Sequence, residues 1–412
     1  MPGRRGDSRI QAAPRRSMTP QSPLPRRAPP GIRRFDQFDD LASNDSLAES
    51  RPSYSGTSKQ TRDQSRDRRM PIAETTKSAG SNKAKTTSSK KSDNHKQTRS
   101  NPSTSTDSAS PHVPSNVHEW VQSTLNKGVV GIKKEFGANR AYVPADIAIQ
   151  HFNRNPTRNR YLDVKCLDRT RVVLKDHRTD YVHASFVDGG RLSFICTQGP
   201  TQSTLEDFWC MIWQENVGQI LMLCDLEEHG RPKCECYWPL QINDRKVYGA
   251  YTIVKMGEEK REPLVFSSLE LTKAGSAPRT VIHRQWVHWP DRGCPRNTTD
   301  LFKVLNLRNR CAKTAIGQPV LVHCSAGIGR TGTFVMIDIC MMNMDSNKPI
   351  NMEQALRSIR DQRIHSVQTE HQYLYVHRVL LEYASQRYKY ARSDAVRKFI
   401  ADYERDTKPQ GM

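Results

Sequence analysis

Residues 319–339 read PVLVHCSAGIGRTGTFVMIDI. A short apolar run, Val320–Val322, leads into a turn holding Cys324, Gly327, Gly329 and Arg330, and a second apolar run follows. A continuous apolar run bounded by turn residues is the pattern of a strand buried on both faces. We therefore expect a buried strand over 319–323 and a helix from about 330. Strand, glycine-rich turn and helix in that order form the unit of an α/β sheet.

The turn CSAGIGR (324–330) would then lie at a helix N-terminus. Its backbone N–H groups have no intrahelical partners, and the helix dipole is positive there. Gly327 and Gly329 would let the chain curl so that successive N–H groups converge on an oxyanion of phosphate size. Arg330 adds a planar fork for two of its oxygens. The same field would push the Cys324 thiol toward thiolate, the nucleophilic form. Thr331 stands where its hydroxyl would reach the sulfur, and His323 where it would hold the loop from behind. The bland alternative is a buried cysteine on a tight turn, and Cys-x5-Arg alone does not exclude it.

The flanking chain alternates in the same way. WVQSTLNKGVVGIKKEF (120–136) has helical spacing, SFICTQGP (193–200) begins as a strand and ends in a turn, and TLEDFWCMIWQEN (204–216) reads as a helix. QILMLCDL (219–226) reads as another buried strand, with several shorter strands between 236 and 290. Helices are predicted at 300–314, 351–362 and 370–386. The expected fold is α/β: one highly twisted mixed central sheet with helices on both faces.

Composition limits that domain. The chain has 412 residues and a formal charge of +21. Residues 1–114 hold no Cys or Trp, only Phe35, Phe38 and Tyr54 as aromatics, and 22 Lys/Arg against 11 Asp/Glu. Such a stretch buries too little apolar surface to offset the entropy of ordering it, so it is expected as a disordered basic tail. All six Trp and ten Cys lie beyond it. The domain is expected over 115–390, with a short basic extension at 391–412. TPQSPLPRRAPP (19–30) suits polyproline II docking on an SH3 or WW module, although a solvated linker is the plainer reading. The basic tail suits acidic surfaces, and SNKAKTTSSKKS (81–92) suits a nuclear address or a phosphate-binding arm, although a plain soluble tail is the simpler reading. No stretch of 18 apolar residues and no apolar leader occurs, so the expectation is a cytoplasmic chain without a transmembrane segment, its cysteines reduced. Cys234 and Cys236 near His229 lack a second ligand pair, so no metal and no cofactor are expected.

A phosphate ester also needs an acid for its leaving group. WVHWPDRGCP (286–295) offers Asp291 between Pro290 and Gly293, a composition suited to a lid that delivers a carboxylic acid and expels water. Read alone, it is equally an ordinary Pro-Asp-x-Gly turn.

Taken together, these stretches carry a resemblance. VHCSAGIGRTG resembles the signature loop of the classical, non-receptor protein tyrosine phosphatases. WPDRG is similar to their mobile acid loop and NRYLDV (159–164) to their phosphotyrosine recognition loop. TQGP (197–200), DFWCMIW (207–213), KCECYWP (233–239) and QTEHQY (368–373) resemble further family motifs in the same order. The match spans about 117–390, and the basic extension with WVHWPDRG resembles the nematode-type group. The resemblance implies hydrolysis of phosphotyrosine-containing proteins through a phosphocysteine, by a monomer.

Residue by residue, the resemblance implies that Cys324 attacks phosphorus. Arg330 and the N–H groups of Ser325, Ala326, Gly327, Ile328 and Gly329 would hold the phosphoryl oxygens. Asp291 would act as acid and then base, and Gln372 with Gln368 would place the water. Tyr161 would set a pocket too deep for phosphoserine, which argues against a dual-specificity enzyme. Asp163 would bind peptide backbone, and Glu228 and Lys233 would steady Arg330 and Asp291. Two departures stand out. Arg292 occupies a position where many members carry an aromatic, and His183 one where Asn is usual. Arg292 would meet acidic residues of a substrate, or would loosen the lid. In the latter case the chain would be a catalytically weak phosphotyrosine-binding pseudophosphatase.

Overall fold

The computed structural model describes residues 113–408 except 191, 297, 315 and 316. The Pro-rich patch at 19–30, the basic run at 81–92 and all but the last two residues of the expected tail lie outside the described residues.

Among the described residues, eleven strands and eight α-helices follow one another. They are α1 (Ser115–Asn139), α2 (Gln150–Arg154), β1 (Arg171–Val173), β2 (Tyr181–Asp188), β3 (Ser193–Thr197), α3 (Leu205–Gln214), β4 (Gln219–Met222), β5 (Glu227–Glu228) and β6 (Arg231–Pro232). Then come β7 (Arg245–Tyr248), β8 (Tyr251–Arg261), β9 (Leu264–Lys273), β10 (Arg279–Trp286), α4 (Thr298–Thr314), β11 (Val320–His323), α5 (Gly329–Asp345), α6 (Met352–Gln362), α7 (Glu370–Arg387) and α8 (Asp394–Asp406).

Nine strands form one mixed sheet in the order β1-β2-β3-β11-β4-β10-β9-β8-β7, flanked by helices on both faces. The four central strands, β3, β11, β4 and β10, are parallel neighbours, and the outer pairs are antiparallel. β4 and β11 are buried along their whole length, as continuous apolar runs require. Their register sets His323 opposite both Thr197 of β3 and Met222 of β4. The loops leaving the carboxyl ends of four parallel strands therefore open on one side, the place where open α/β sheets build their sites. α5 leaves from this point through the molecule's interior. It is buried on nearly every side, and the Arg308 Nε donates to Asp338 Oδ1 (2.5 Å) to pin α4 to it.

Three expectations are corrected, and a fourth region gains detail. The helix over 120–136 runs from 115 to 139 but breaks at Gly128 (φ 60°, ψ −177°), a conformation glycine alone adopts cheaply. The strand over 219–226 ends at Met222, because Leu223 turns its N–H onto His323 O (2.8 Å) and the chain departs for the site. The region 236–290 holds one short strand, β7, and three long ones, β8 to β10, of 8 to 11 residues, against the several shorter strands expected. Within the expected extension, the described residues 391–408 hold a further helix, α8. Ser393 caps α8, its Oγ accepting the Val396 N–H, and Val396, Phe399 and Tyr403 are buried.

Candidate active site

The loop after β11 is held from beneath. Gly327 takes φ +70°, and a Cβ there would lie 2.0 Å from Thr197 O, so only glycine fits. Gly329 differs from the expectation. It is helical, the first residue of α5, and its missing side chain makes room for Gln372 and Gln368, whose polar atoms lie 3.0–3.2 Å from where a Cβ would be. Arg330 thus stands in the first helical turn, with Ile328 as N-cap.

Cys324 is buried, and the Gly327 N–H donates to its Sγ at 3.2 Å. Burial pushes the thiol up. The Arg330 guanidinium, the Thr331 hydroxyl and the N–H groups of Thr331 and Gly327 outweigh it and hold the thiol below its ordinary value. The Thr331 hydroxyl has no other partner among the described residues and makes no hydrogen bond of good geometry in this state.

His323 supports the loop from behind through a chain of hydrogen bonds. The Cys324 carbonyl can only accept, so His323 Nδ1–H donates to it (3.1 Å). Nε2 then accepts from Tyr237 Oη–H (2.8 Å), and the Tyr237 oxygen accepts from His283 Nε2–H (2.8 Å). Burial pushes His323 down to about 4, which keeps the imidazole neutral.

Two segments converge on Arg330, the β5–β6 hairpin and the loop after β10. Its Nη1 donates to Glu228 Oε1 (2.6 Å) and to Trp289 O (2.7 Å), and its Nη2 to Glu228 Oε2 (3.2 Å) and Asp291 Oδ1 (3.4 Å). Glu228 comes from the β5–β6 hairpin after β4, and Asp291 from the loop after β10. Lys233, leaving the hairpin, donates to Asp291 Oδ2 at 2.6 Å. The Asp291 loop is therefore folded down over the Cys324 loop. Burial pushes the Asp291 carboxyl up, but the Lys233 hydrogen bond and the charges of Arg330, Lys233 and Arg292 hold it below its ordinary value. In this state it is a carboxylate.

Tyr161 forms a wall: its hydroxyl is 2.9 Å from Ser325 Oγ, which donates to Lys233 O (2.9 Å). Asp163 and Arg292 are exposed at the rim. The left-handed residues of the acid loop are His288 (φ 64°) and Arg292 (φ 55°), not Gly293. Gln372 is wholly buried and caps its own helix. Its Oε1 accepts the N–H groups of Gln368 (2.9 Å) and Thr369 (3.3 Å), while its Nε2 is buried without a partner. An unpartnered buried donor facing Gly329 calls for an acceptor such as water or a phosphoryl oxygen.

Local spacing in the sequence does not reveal Arg363. Its Nε donates to Gly327 O (2.9 Å) and its Nη2 to Ala326 O (3.1 Å) and to His183 Nδ1 (3.1 Å). His183 donates Nε2–H to Val164 O (2.9 Å), tying the Tyr161 segment to the same arginine. Burial, then Arg363, pushes His183 down to about 3, so it stays neutral. His183 thus links two loops.

The family model described as protein-tyrosine phosphatase matches residues 155–382, which include every one of these side chains. The chain belongs to that family. It is 36% identical over 299 residues to tyrosine-protein phosphatase non-receptor type 9 of Rattus norvegicus and of Homo sapiens, covering 66% of this chain and 50% of each relative. Receptor-type tyrosine-protein phosphatase F of Danio rerio is 36% identical over 238 residues, 56% of this chain and 12% of its own length. A solved structure described as "Structural basis of PTPN18 fingerprint on distinct HER2 tyrosine phosphorylation sites" superposes with a TM-score of 0.60 at 29% identity, covering 66% of this chain and 100% of the other. The chain spans about half the length of the curated non-receptor relatives it matches. Among the described residues, no helix is long and apolar enough to cross a membrane, and no group of three or more His, Cys, Asp or Glu would hold a metal ion.

Proposed function

We propose that this chain is an active phosphatase that hydrolyses phosphotyrosine in proteins through a phosphocysteine intermediate. One observation carries the reading. A buried thiol with a lowered pKa and a buried guanidinium lie under the carboxylate of exposed Asp291, the guanidinium touching that carboxylate at 3.4 Å. A module that only binds phosphotyrosine has no use for the thiolate or the acid.

In the first step, Cys324 Sγ⁻ attacks phosphorus. The S–P bond forms as the P–O(tyrosyl) bond breaks, and the Asp291 carboxyl passes its proton to the departing oxygen. Arg330 and the loop N–H groups from Ser325 to Gly329 stabilise the charge spread over the remaining oxygens. Asp291 must first gain a proton. A bound phosphate claims Arg330 Nη2 and brings negative charge beside the carboxylate, and both effects raise its pKa. In the second step, water held by Gln372 Nε2 and Gln368 attacks phosphorus and gives a proton to Asp291. The S–P bond breaks, inorganic phosphate leaves and the thiolate returns, with the Thr331 hydroxyl stabilising it.

Tyr161 stacks on the substrate ring and sets a depth that phosphoserine does not span. Asp163 binds peptide N–H groups. Exposed Arg292 favours acidic residues next to the phosphotyrosine, so the substrates are phosphotyrosine-containing proteins with acidic flanks. No metal or cofactor takes part in this scheme.

The test is phosphate release from a phosphotyrosyl peptide. Wild type turns over and Cys324→Ser does not. Asp291→Ala binds the peptide but loses on the order of 10²–10⁴ in rate, the usual worth of a positioned general acid. Equal rates in wild type and Cys324→Ser would sink the mechanism. Tight binding without turnover in wild type would leave the pseudophosphatase reading.

A further inference from the structure

The acid loop is tied down on two sides. One tie is the clasp already described, Arg330 on Trp289 O and Lys233 on Asp291. The second lies on the opposite side, at the N-terminus of α7. Thr369 Oγ1 donates to Arg292 O at 3.1 Å, and the Cys294 thiol donates to His371 O at 3.5 Å. Arg292 presents its carbonyl there at a cost in backbone strain, since it sits at φ 55°, where a non-glycine residue is disfavoured. Thr369 itself has an ordinary extended backbone.

The Thr369 oxygen has two duties. It donates its proton to the acid loop and accepts the Gln372 N–H (3.2 Å), the bond that caps α7 and closes the capping box. A hydroxyl that donates and accepts at once links its two partners in geometry and in strength.

We propose that Thr369 is a positioning residue: its hydroxyl latches the Asp291 loop in the closed state and, through the same oxygen, fixes Gln372, so that one side chain sets both proton delivery and water placement. The proposal rests on the phosphatase reading above. It predicts that losing the hydroxyl frees the loop on its Arg292 side while the Arg330 side still binds phosphate.

The competing account is that Thr369 is a helix cap and nothing more. Thr369→Val removes cap and latch together, and Thr369→Ser keeps both. The discriminating measurement is kcat/KM, which reports steps up to phosphocysteine formation, on two substrates. One is a phosphotyrosyl peptide, whose leaving oxygen needs a proton. The other is a nitro-substituted aryl phosphate, whose acidic leaving group departs without one. In the full chain, Thr369→Val loses on the order of tenfold more on the peptide than on the aryl phosphate, a fraction of the full worth of the acid. Its phosphoenzyme also decays more slowly after the burst, and Thr369→Ser restores both.

Equal losses on the two substrates, or none, overturn the latch, since a cap or a loosened fold does not distinguish leaving groups. A Thr369→Val phosphoenzyme that decays at the wild-type rate overturns the Gln372 arm. A wild type that releases no phosphate sinks the phosphatase reading and this proposal with it. An active wild type with equal losses sinks the latch alone.

Discussion

At the scale of single residues, the chemistry depends on a contest at one sulfur. Burial pushes every buried thiol of this chain upward, Cys196 and Cys340 to about 12 and Cys224 well above the ordinary value. Cys324 alone of the buried thiols has a guanidinium and converging N–H groups to reverse the effect. Only the thiolate reacts with an alkylating agent. Iodoacetamide at pH 6 should therefore modify Cys324 ahead of the other nine, with mass spectrometry locating the adduct. Cys324→Ser should take up almost no label under the same conditions. Arg330→Met, which removes the largest of the lowering influences, should label several-fold more slowly. Equal labelling of wild type and Cys324→Ser would show that the field at this loop does not activate the sulfur. The Cys-to-Arg spacing and the glycines make the nest legible in the sequence, but not the separate reasons for the two glycines. Gly327 is needed for its φ and for the approach of Thr197, and Gly329 for the approach of two glutamines that lie about 40 positions away in the chain.

At the scale of elements, the sequence pattern is legible where a single period dominates and obscure where charge covers it. β4, β11 and α5 announce themselves as apolar runs. α8 does not, although Val396, Phe399 and Tyr403 recur at helical spacing behind a Ser393 cap, because charged residues crowd between them. α8 packs against α1, and Phe399 is buried. Phe399→Ala should cost about 3–5 kcal/mol of unfolding free energy, the usual range for a buried phenylalanine. Urea unfolding of the full chain measures it. A change within experimental error would mean that α8 adds nothing to the fold. The convergence of the site is not legible in any local pattern. It depends on which strands are neighbours: β3, β11, β4 and β10 meet only through crossovers, and their carboxyl-end loops bring Gly199, Cys324, Glu228 and Asp291 together. Arg363 and Thr369 stay hidden for the same reason, since each acts on backbone carbonyls of a distant loop, and a carbonyl leaves no trace in residue type.

At the scale of the whole molecule, the fold stores several histidines that must stay neutral. Burial pushes His323 and His377 down to about 4 and His183 to about 3, and His283 falls well below the ordinary value. The unfolded chain binds protons at these sites near pH 6.5, whereas the folded chain does not until much lower pH. Between about pH 6.5 and pH 4 the unfolded state therefore carries more protons, and stability falls as pH falls. The net charge of +21 at pH 7 grows over the same range and adds self-repulsion of like sign. His377 separates the two effects, because it lies outside the site. Its Nδ1–H donates to Tyr373 O (3.1 Å) and its ring stacks on Trp120 at 6.1 Å, between α7 and α1. With a folded value of about 4, it alone contributes on the order of 3 kcal/mol to the acid loss, since each tenfold fall in proton affinity is worth about 1.36 kcal/mol. His377→Gln should be less stable than wild type at pH 7, where it lacks the ring's packing. The gap should close by a comparable amount as the pH drops to 4, because glutamine takes up no proton in either state. Urea midpoints at half-unit steps between pH 4 and pH 7 measure both curves, and curves that stay parallel would show that the buried imidazole takes no part in the acid sensitivity.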